Sequence, residues 1–449
     1  MQRRRAAAAG ILRRAVAQAA AARRPRPCFE HAPARALASS ASSAASASAS
    51  SSALAAVFDA FGEPADVLGV REMPLPDKAL EDGQVLLELE AVRSGPTDAR
   101  LQSRRSEPSN APPPRSPSPP SPPKPHQHAP LNPSDVNTIQ GRYPLRPEPP
   151  SAVPGHEGVF RVVEVGGSSA NARPATTAAP PLRPGDRVVP LQPALGTWRS
   201  RGVFNARDWH RVPDALPLAA AAMLCINPPT ALGLLEGFVD LSSSSGGGNG
   251  NPSPSVIAQT GATSAVGQLV VQLTRHRGLK TINLVRADRP DWDDTKQWLE
   301  RLGADVVTTD TRARHDVQSL GLPPASLALD CVGGASSAAV ARLLRKGGTL
   351  VSYGAMSMQP VTVPASLLIF KDVRVRGFWL SGGGGGGKEE DETARRRRAA
   401  VLDRAAALFL EGAWRAPQAE CVPLREAASR GVARAREGRT RTKVLLVPD

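Results

Sequence analysis

The sequence predicts an α/β protein in which a doubly wound parallel sheet is joined to a β-rich domain. Three observations predict it. After Pro213, short apolar runs alternate with helical stretches: "SVIAQTG", "TINLVR", "ADVVT", "SLALD", "GGTLVSYGA" and "DVRVRGFWL" are separated by segments such as "SAVGQLVVQLTRHRG" and "SSAAVARLLRKG". Strands that alternate with helices of about ten to fifteen residues form parallel sheets with helical layers on both faces. Within this region "VIAQTGATSAVGQLVVQL" sets an apolar strand, a small-residue turn and an apolar-periodic helix in immediate succession. Before it, "ALAAVFDAFG", "GQVLLELEAVRS", "GVFRVVEVG" and "GDRVVPLQ" alternate apolar and polar residues between Gly and Pro turns, the pattern of strands with one buried face.

The elements in order begin with a region outside this pattern. The net charge is +15 and the sequence pI is 10.6, but nine arginines stand against one acid, Glu30, before Ser52, which leaves +7 for the rest. The opening "MQRRRAAAAGILRRAVAQAAAARRPRP" and the small-residue spacer after it have the composition of an organellar transit peptide, or of a basic tail without an address. A secretory signal is excluded, because no apolar h-region follows the basic start. Arginines from residue 3 onward favour mitochondrial import over import into plastids. The longest apolar run, residues 215–226, falls short of the roughly twenty residues that cross a hydrocarbon core, so a soluble protein is expected. Cys28, Cys225, Cys331 and Cys421 are far apart and form no Cys-x-x-Cys pair, so neither a disulfide framework nor a cysteine-based zinc site is indicated.

The strand-like text is interrupted at 103–130 by a tract so dense in proline that neither helix nor ladder can persist in it. It reads as an insertion without catalytic work, with a proline-rich docking segment as the alternative. A Ser/Gly/Pro/Asn linker at 242–254 and a glycine tract, "SGGGGGGKEEDE", interrupt it again, and the chain closes on a helix near "RRRRAAVLDRAAALFLEGA" and a strand, "TKVLLVP".

Gly261 and Gly267, with small residues between them, allow a backbone to approach a pyrophosphate at a helix N-terminus, although Ala265 stands where a middle glycine is usual; a purely structural strand–helix turn is the alternative. The next strand ends at Arg286, with Arg289 close behind. Arginine suits the 2′-phosphate of NADP, so NADPH is expected, while Asp288 between them is either a ribose ligand or their solvated partner. In "PGHEG", His156 and Glu157 could in principle hold zinc. A catalytic zinc needs about three protein ligands, and no cysteine lies between Cys28 and Cys225, so the expectation is no metal and two structural polar residues. Only two tyrosines occur, Tyr143 and Tyr353, and Tyr143 in "NTIQGRYP" is either packing or chemistry.

Taken together, "LNPSDVNTIQGRYP", "PGHEGVFRVVEVG", "LRPGDRVVP", "LGTWRSRGVF", "INPPTALGLL", "LDCVGG", "GGTLVSYGAMSMQPV" and "LLIFKDVRVRGFWLS" resemble the mitochondrial trans-2-enoyl thioester reductases, or enoyl-acyl carrier protein reductases. These are zinc-free members of the medium-chain dehydrogenase/reductase superfamily. The resemblance covers roughly residues 53 to 449 outside the low-complexity tracts. It implies a Rossmann domain at 226–377, and a GroES-like catalytic domain split between 53–225 and 378–449, behind a transit peptide and spacer at 1–52. It implies NADPH-dependent reduction of trans-2-enoyl thioesters, carried on acyl carrier protein or CoA, in the mitochondrial matrix as the last reduction of fatty-acid synthesis. The family's proton donor falls on Tyr143. Its nucleotide contacts fall on Asn227; on Thr263, Ser264, Ala265 and Val266; on Arg286, Asp288 and Arg289; on Tyr353, Gly354, Ala355 and Met356; on Phe378, Trp379 and Leu380; and on Lys443. The family forms homodimers through the edge of the parallel sheet, which "DVRVRGF" supplies. "RADRP" is one residue longer than the family's basic turn. Two alternatives stay open: a quinone oxidoreductase of the same superfamily, and a nucleic-acid-binding or regulatory protein that has kept the fold. The second is poorly supported, because few aromatics are present to stack on bases.

Overall fold

The computed structural model describes residues 52–92, 126–167, 180–241, 245–246, 252–253, 255–383, 392–438 and 441–448. The transit-peptide region, most of the proline tract, most of the 242–254 linker and most of the glycine tract lie outside these residues.

The first half is antiparallel. Strands β1 (Ser52–Phe58) and β2 (Leu68–Pro74) pair with each other. A five-stranded sheet has the order β8–β6–β5–β3–β7, formed by β3 (Gln84–Leu89), β5 (Phe160–Val165), β6 (Arg187–Pro190), β7 (Arg201–Asn205) and β8 (Trp209–Arg211). The alternation visible in "QVLLEL" is realised: Val85, Leu87 and Leu89 are buried and their neighbours are not. They pack with Phe160, Trp198 and Trp209 in one core, each of these three aromatics no more than 1% exposed.

The 103–130 tract is shorter than its composition suggests. Residues 126–130 belong to the fold, because β4 (Ala129–Pro130) pairs with the terminal strand β16 (Thr442–Val447), which also pairs in parallel with β15 (Gln418–Pro423). Ala129 and His128 are buried there. Proline is tolerated in this short strand because it sits at the strand's end, and the ladder continues through the amide of Leu131 to the carbonyl of Val444 at 3.0 Å.

The second half is parallel. Strands β9 (Val256–Gln259), β10 (Lys280–Leu284), β11 (Val306–Thr308), β12 (Ala325–Asp330), β13 (Leu344–Ser352) and β14 (Arg374–Gly377) lie in the order β11–β10–β9–β12–β13–β14. That is the 3-2-1-4-5-6 order of a doubly wound dinucleotide-binding sheet, which leaves a crevice at the carboxyl ends of β9 and β12, where the winding reverses. Both of these strands are buried at every position, as strands covered on both faces must be.

The turn that leaves β9 shows why its glycines are where they are. Gly261 takes φ +60°, and helix α3 (Ala265–His276) starts so close beneath it that a Cβ on Gly267 would lie 2.6 Å from the Gly261 carbonyl oxygen. Gly267→Ala is therefore expected to cost about 1–3 kcal/mol as the helix is pushed off the strand. Urea unfolding measures it; a loss below about 0.5 kcal/mol would show that the close approach does not exist.

Candidate active site

The expected nucleotide turn is capped by Ser264, whose Oγ accepts from the Gly267 amide at 3.1 Å. The first-turn amides of Ala265 and Val266 have no partner within the helix and face the crevice end of the sheet, beside Thr263. Across the crevice, β13 runs into Tyr353, Gly354, Ala355 and Met356. The Tyr353 amide donates to the Asp330 carbonyl at 2.9 Å, which ties this turn to the end of β12. The Tyr353 hydroxyl lies inward beside Cys331 and Ser264, where burial holds its pKa well above the ordinary phenol value. The glycine turn and the open amides at the helix start, at the strand ends where the winding reverses, fit a dinucleotide.

The basic turn after β10 divides its labour. Arg286 is exposed, its guanidinium donating to the carbonyl of Gly438, and Asp288 is exposed beside it. The Arg289 side chain is 1% exposed and pairs with Asp291 at 2.9 Å. Asp291 also accepts from Arg441 at 2.9 Å and Thr295 at 3.0 Å, and these bonds, led by Arg289, drive its pKa far below the usual carboxylate range. Arg289 thus builds the turn and leaves Arg286 as the arginine presented outward. Arg441, from the far end of the chain, was not singled out in the sequence.

Helix α1 (Pro133–Ile139) leads to Tyr143 through Gly141, which adopts φ +73°. The Tyr143 amide donates to the Asn137 carbonyl at 3.1 Å, and Arg146 donates to the Tyr143 carbonyl at 3.2 Å, so the turn is fixed from both sides. Trp379, just after β14, donates its indole N–H to Tyr143 Oη at 2.9 Å. An indole can only donate, so the phenol accepts on that side and its own proton points elsewhere. The Tyr143 ring also meets His156 edge-on, with centroids 5.1 Å apart. Neighbouring Phe378 packs against Phe238 and closes over Gly233 of helix α2 (Asn227–Glu236).

A cavity of about 240 Å³ opens beside this group. His156 and Leu380 line it, among others with Leu191, Cys225, Ile226 and Val401, and Arg397 and Arg398 also reach it. Both arginines come from helix α4 (Glu392–Leu410).

Behind His156 lies a fully buried polar network. Asp135 accepts from the amides of Asn132 at 2.7 Å and His156 at 3.0 Å. Glu157 accepts from Asn132 Nδ2 at 2.6 Å, from the Ile226 amide at 3.1 Å and from Asn227 Nδ2 at 3.4 Å. Lys443 Nζ, 8% of whose residue surface is exposed, donates to Asn132 Oδ1. The lysine expected at the nucleotide is thus held inside the network. Burial raises both carboxyls to about 7 and lowers the lysine, and the lysine's charge opposes the carboxyl shifts. His156 is lowered to about 4 by burial and is neutral at physiological pH; Nδ1 accepts from the Ala194 amide, so Nε2 carries the proton toward Thr138 Oγ1. His156 and Glu157 are therefore structural polar residues at the site's floor. Among the described residues no group of three or more His, Cys, Asp or Glu is arranged to hold a metal ion.

Comparison with known proteins places this geometry in a lineage. The profile "Alcohol dehydrogenase GroES-like domain" matches residues 126–211, and "Zinc-binding dehydrogenase" matches 265–396. A mitochondrial enoyl-[acyl-carrier-protein] reductase of Arabidopsis thaliana is 44% identical over 256 residues, 56% of this chain and 62% of that protein. The chain thus spans less than two thirds of that relative's length. The Xenopus tropicalis protein of the same name is 44% identical over 56% of this chain and 67% of its own length. Among solved structures, the Etr1p/NADP/crotonyl-CoA complex superposes with a TM-score of 0.68 at 27% identity, covering 88% of this chain and 99% of that one. The Etr1p/Etr2p heterodimer of Candida tropicalis, a mitochondrial 2-enoyl thioester reductase, gives 0.67 at 28% identity over the same shares. With its parallel sheet, its antiparallel GroES-like half and these relatives, the chain belongs to the enoyl-[acyl-carrier-protein] reductase family of the medium-chain dehydrogenases/reductases.

Proposed function

We propose that the chain reduces trans-2-enoyl thioesters with NADPH in the mitochondrial matrix. The observation that carries the reading is the Tyr143 hydroxyl, fixed by Trp379 beside an apolar cavity that His156 and Leu380 line. A nucleotide held in the crevice would supply the hydride that the β-carbon of the enoyl group receives. Thr263 to Val266 would hold its pyrophosphate and Arg286 its 2′-phosphate, with Asp288 and Arg289 shaping that turn, and Asn227, Tyr353 to Met356 and Phe378 to Leu380 would line the crevice. Lys443 acts from behind. Hydride addition leaves enolate character on the thioester, and the Tyr143 O–H stabilises that oxygen or delivers a proton to the α-carbon. The indole N–H on the phenol oxygen favours this, because it stabilises the charge left when the proton departs.

The cavity takes the acyl chain, and Arg397 and Arg398 face the phosphates of CoA or the acidic surface of an acyl carrier protein. Segments 53–225 and 378–449 act as one catalytic unit folded around the 226–377 nucleotide unit. The pairing of β16 with β4 supports this, because it returns the chain's end to its first half. A homodimer forms across β14, which pairs only with β13 among the described residues, carries exposed Val375 and follows a helix that exposes Ile369 and Phe370.

The experiment is NADPH oxidation with 2-enoyl thioesters, with quinones and with no acceptor; turnover confined to quinones would overturn the reading. Tyr143→Phe should leave NADPH affinity unchanged and lower kcat for an enoyl thioester about 10²-fold, and a loss of less than about threefold would make Tyr143 packing alone. Arg286→Ala should weaken NADPH relative to NADH by about 1.5–3 kcal/mol, measured by fluorescence titration; equal losses for both nucleotides would move the 2′-phosphate elsewhere. Val401→Trp fills the cavity and should depress kcat/KM for long acyl chains at least about tenfold more than for crotonyl. A uniform loss across chain lengths would place the acyl group outside the cavity.

A further inference from the structure

The buried network does more than fill space. Helix α2 begins Asn227–Pro228–Pro229, so two of its first amides are missing and the start of the helix cannot be capped in the ordinary way. Glu157 takes the place of a cap. Its Oε2 accepts from the Ile226 amide at 3.1 Å, and its Oε1 lies 3.4 Å from Asn227 Nδ2. The carboxylate is held in turn by Asn132, which gives Nδ2 to Glu157 and takes Lys443 Nζ on its own Oδ1. Every hydrogen bond to the Glu157 carboxylate comes from an N–H donor, so neither of its oxygens is free to turn. One consequence falls on Asn227. With its Nδ2 drawn toward Glu157, its Oδ1 accepts nothing from the described residues and is left for a ligand.

We propose that Glu157 is a positioning residue that, braced through Asn132 by Lys443, fixes the Asn227 carboxamide with its oxygen toward the bound nucleotide. The inference rests on the NADPH reading above and goes beyond it by assigning a role to the buried carboxylate. Lys443 then influences the cofactor at one remove, through Asn132 and Glu157.

The test is a double-mutant cycle read by NADPH binding. Glu157→Gln keeps the shape but sets an amide donor among donors. Glu157→Asp keeps the charge opposite Lys443 and withdraws the carboxylate from Ile226 and Asn227, so it also serves if the Gln variant fails to fold. In the parent chain each should raise the Kd for NADPH about tenfold; in an Asn227→Ala background each should change it less than about twofold. The drop in Tm should be alike in both backgrounds, which separates positioning from a general loss of stability. An equal Kd change with and without Asn227, or no change in either, overturns the proposal. Failure of the unmutated chain to bind NADPH overturns the cofactor reading itself and the proposal with it.

Discussion

One ammonium and two carboxyls share a buried site between the first half of the chain and its last strand, and burial of three ionisable groups is tolerated only when each finds hydrogen-bond partners. Lys443, Asp135 and Glu157 meet that condition through Asn132, whose amide nitrogen, side-chain nitrogen and side-chain oxygen each serve a different one of them. Removing any member leaves an uncompensated group in the interior. The condition fixes where β16 must end its approach, how α1 is oriented and where α2 begins. Tyr143 and the crevice of the parallel sheet are set by those same elements.

The periphery depends on that centre. His156 belongs to the loop that carries Glu157; it touches the network through its amide and touches Tyr143 through its ring. Arg441, two residues before Lys443, clamps Asp291 and so steadies the basic turn, while the Gly438 carbonyl receives Arg286. The segment that brings the lysine to the interior thus also brackets the turn on the cofactor side. The parallel sheet supplies the crevice, and the chain's last strand joins the crevice to the catalytic face.

The sequence was legible where the constraint is local. The β9–α3 turn could be read because Gly261 and Gly267 answer to backbone geometry within seven residues of each other. Alternation in "QVLLEL" and the buried strands "VIAQ" and "SLALD" follow from periodicity alone. Tyr143 stood out because tyrosine is scarce. The division between Arg286 and Arg289 was missed, although Asp291, two residues after Arg289, was a signal that the second arginine had a local partner. The Trp379–Tyr143 bond spans 236 residues and the Lys443–Asn132 bond spans 311, and no pattern in the chain announces contacts that tertiary folding alone creates. The end of the proline tract was misplaced for the same reason: residues 126–130 are strand because the chain's last strand lies beside them.

In the proposed function the chain transfers hydride to conjugated thioesters, with Tyr143 serving the oxygen or the α-carbon. The most direct measurement is the fate of the label when crotonyl thioester is reduced with NADPH deuterated on the transferred face of the nicotinamide C4 position. Mass spectrometry of the saturated product should find one deuterium at the β-carbon and a solvent-derived hydrogen at the α-carbon. A product without the label at the β-carbon, or consumption of NADPH with no saturated thioester formed, would contradict it.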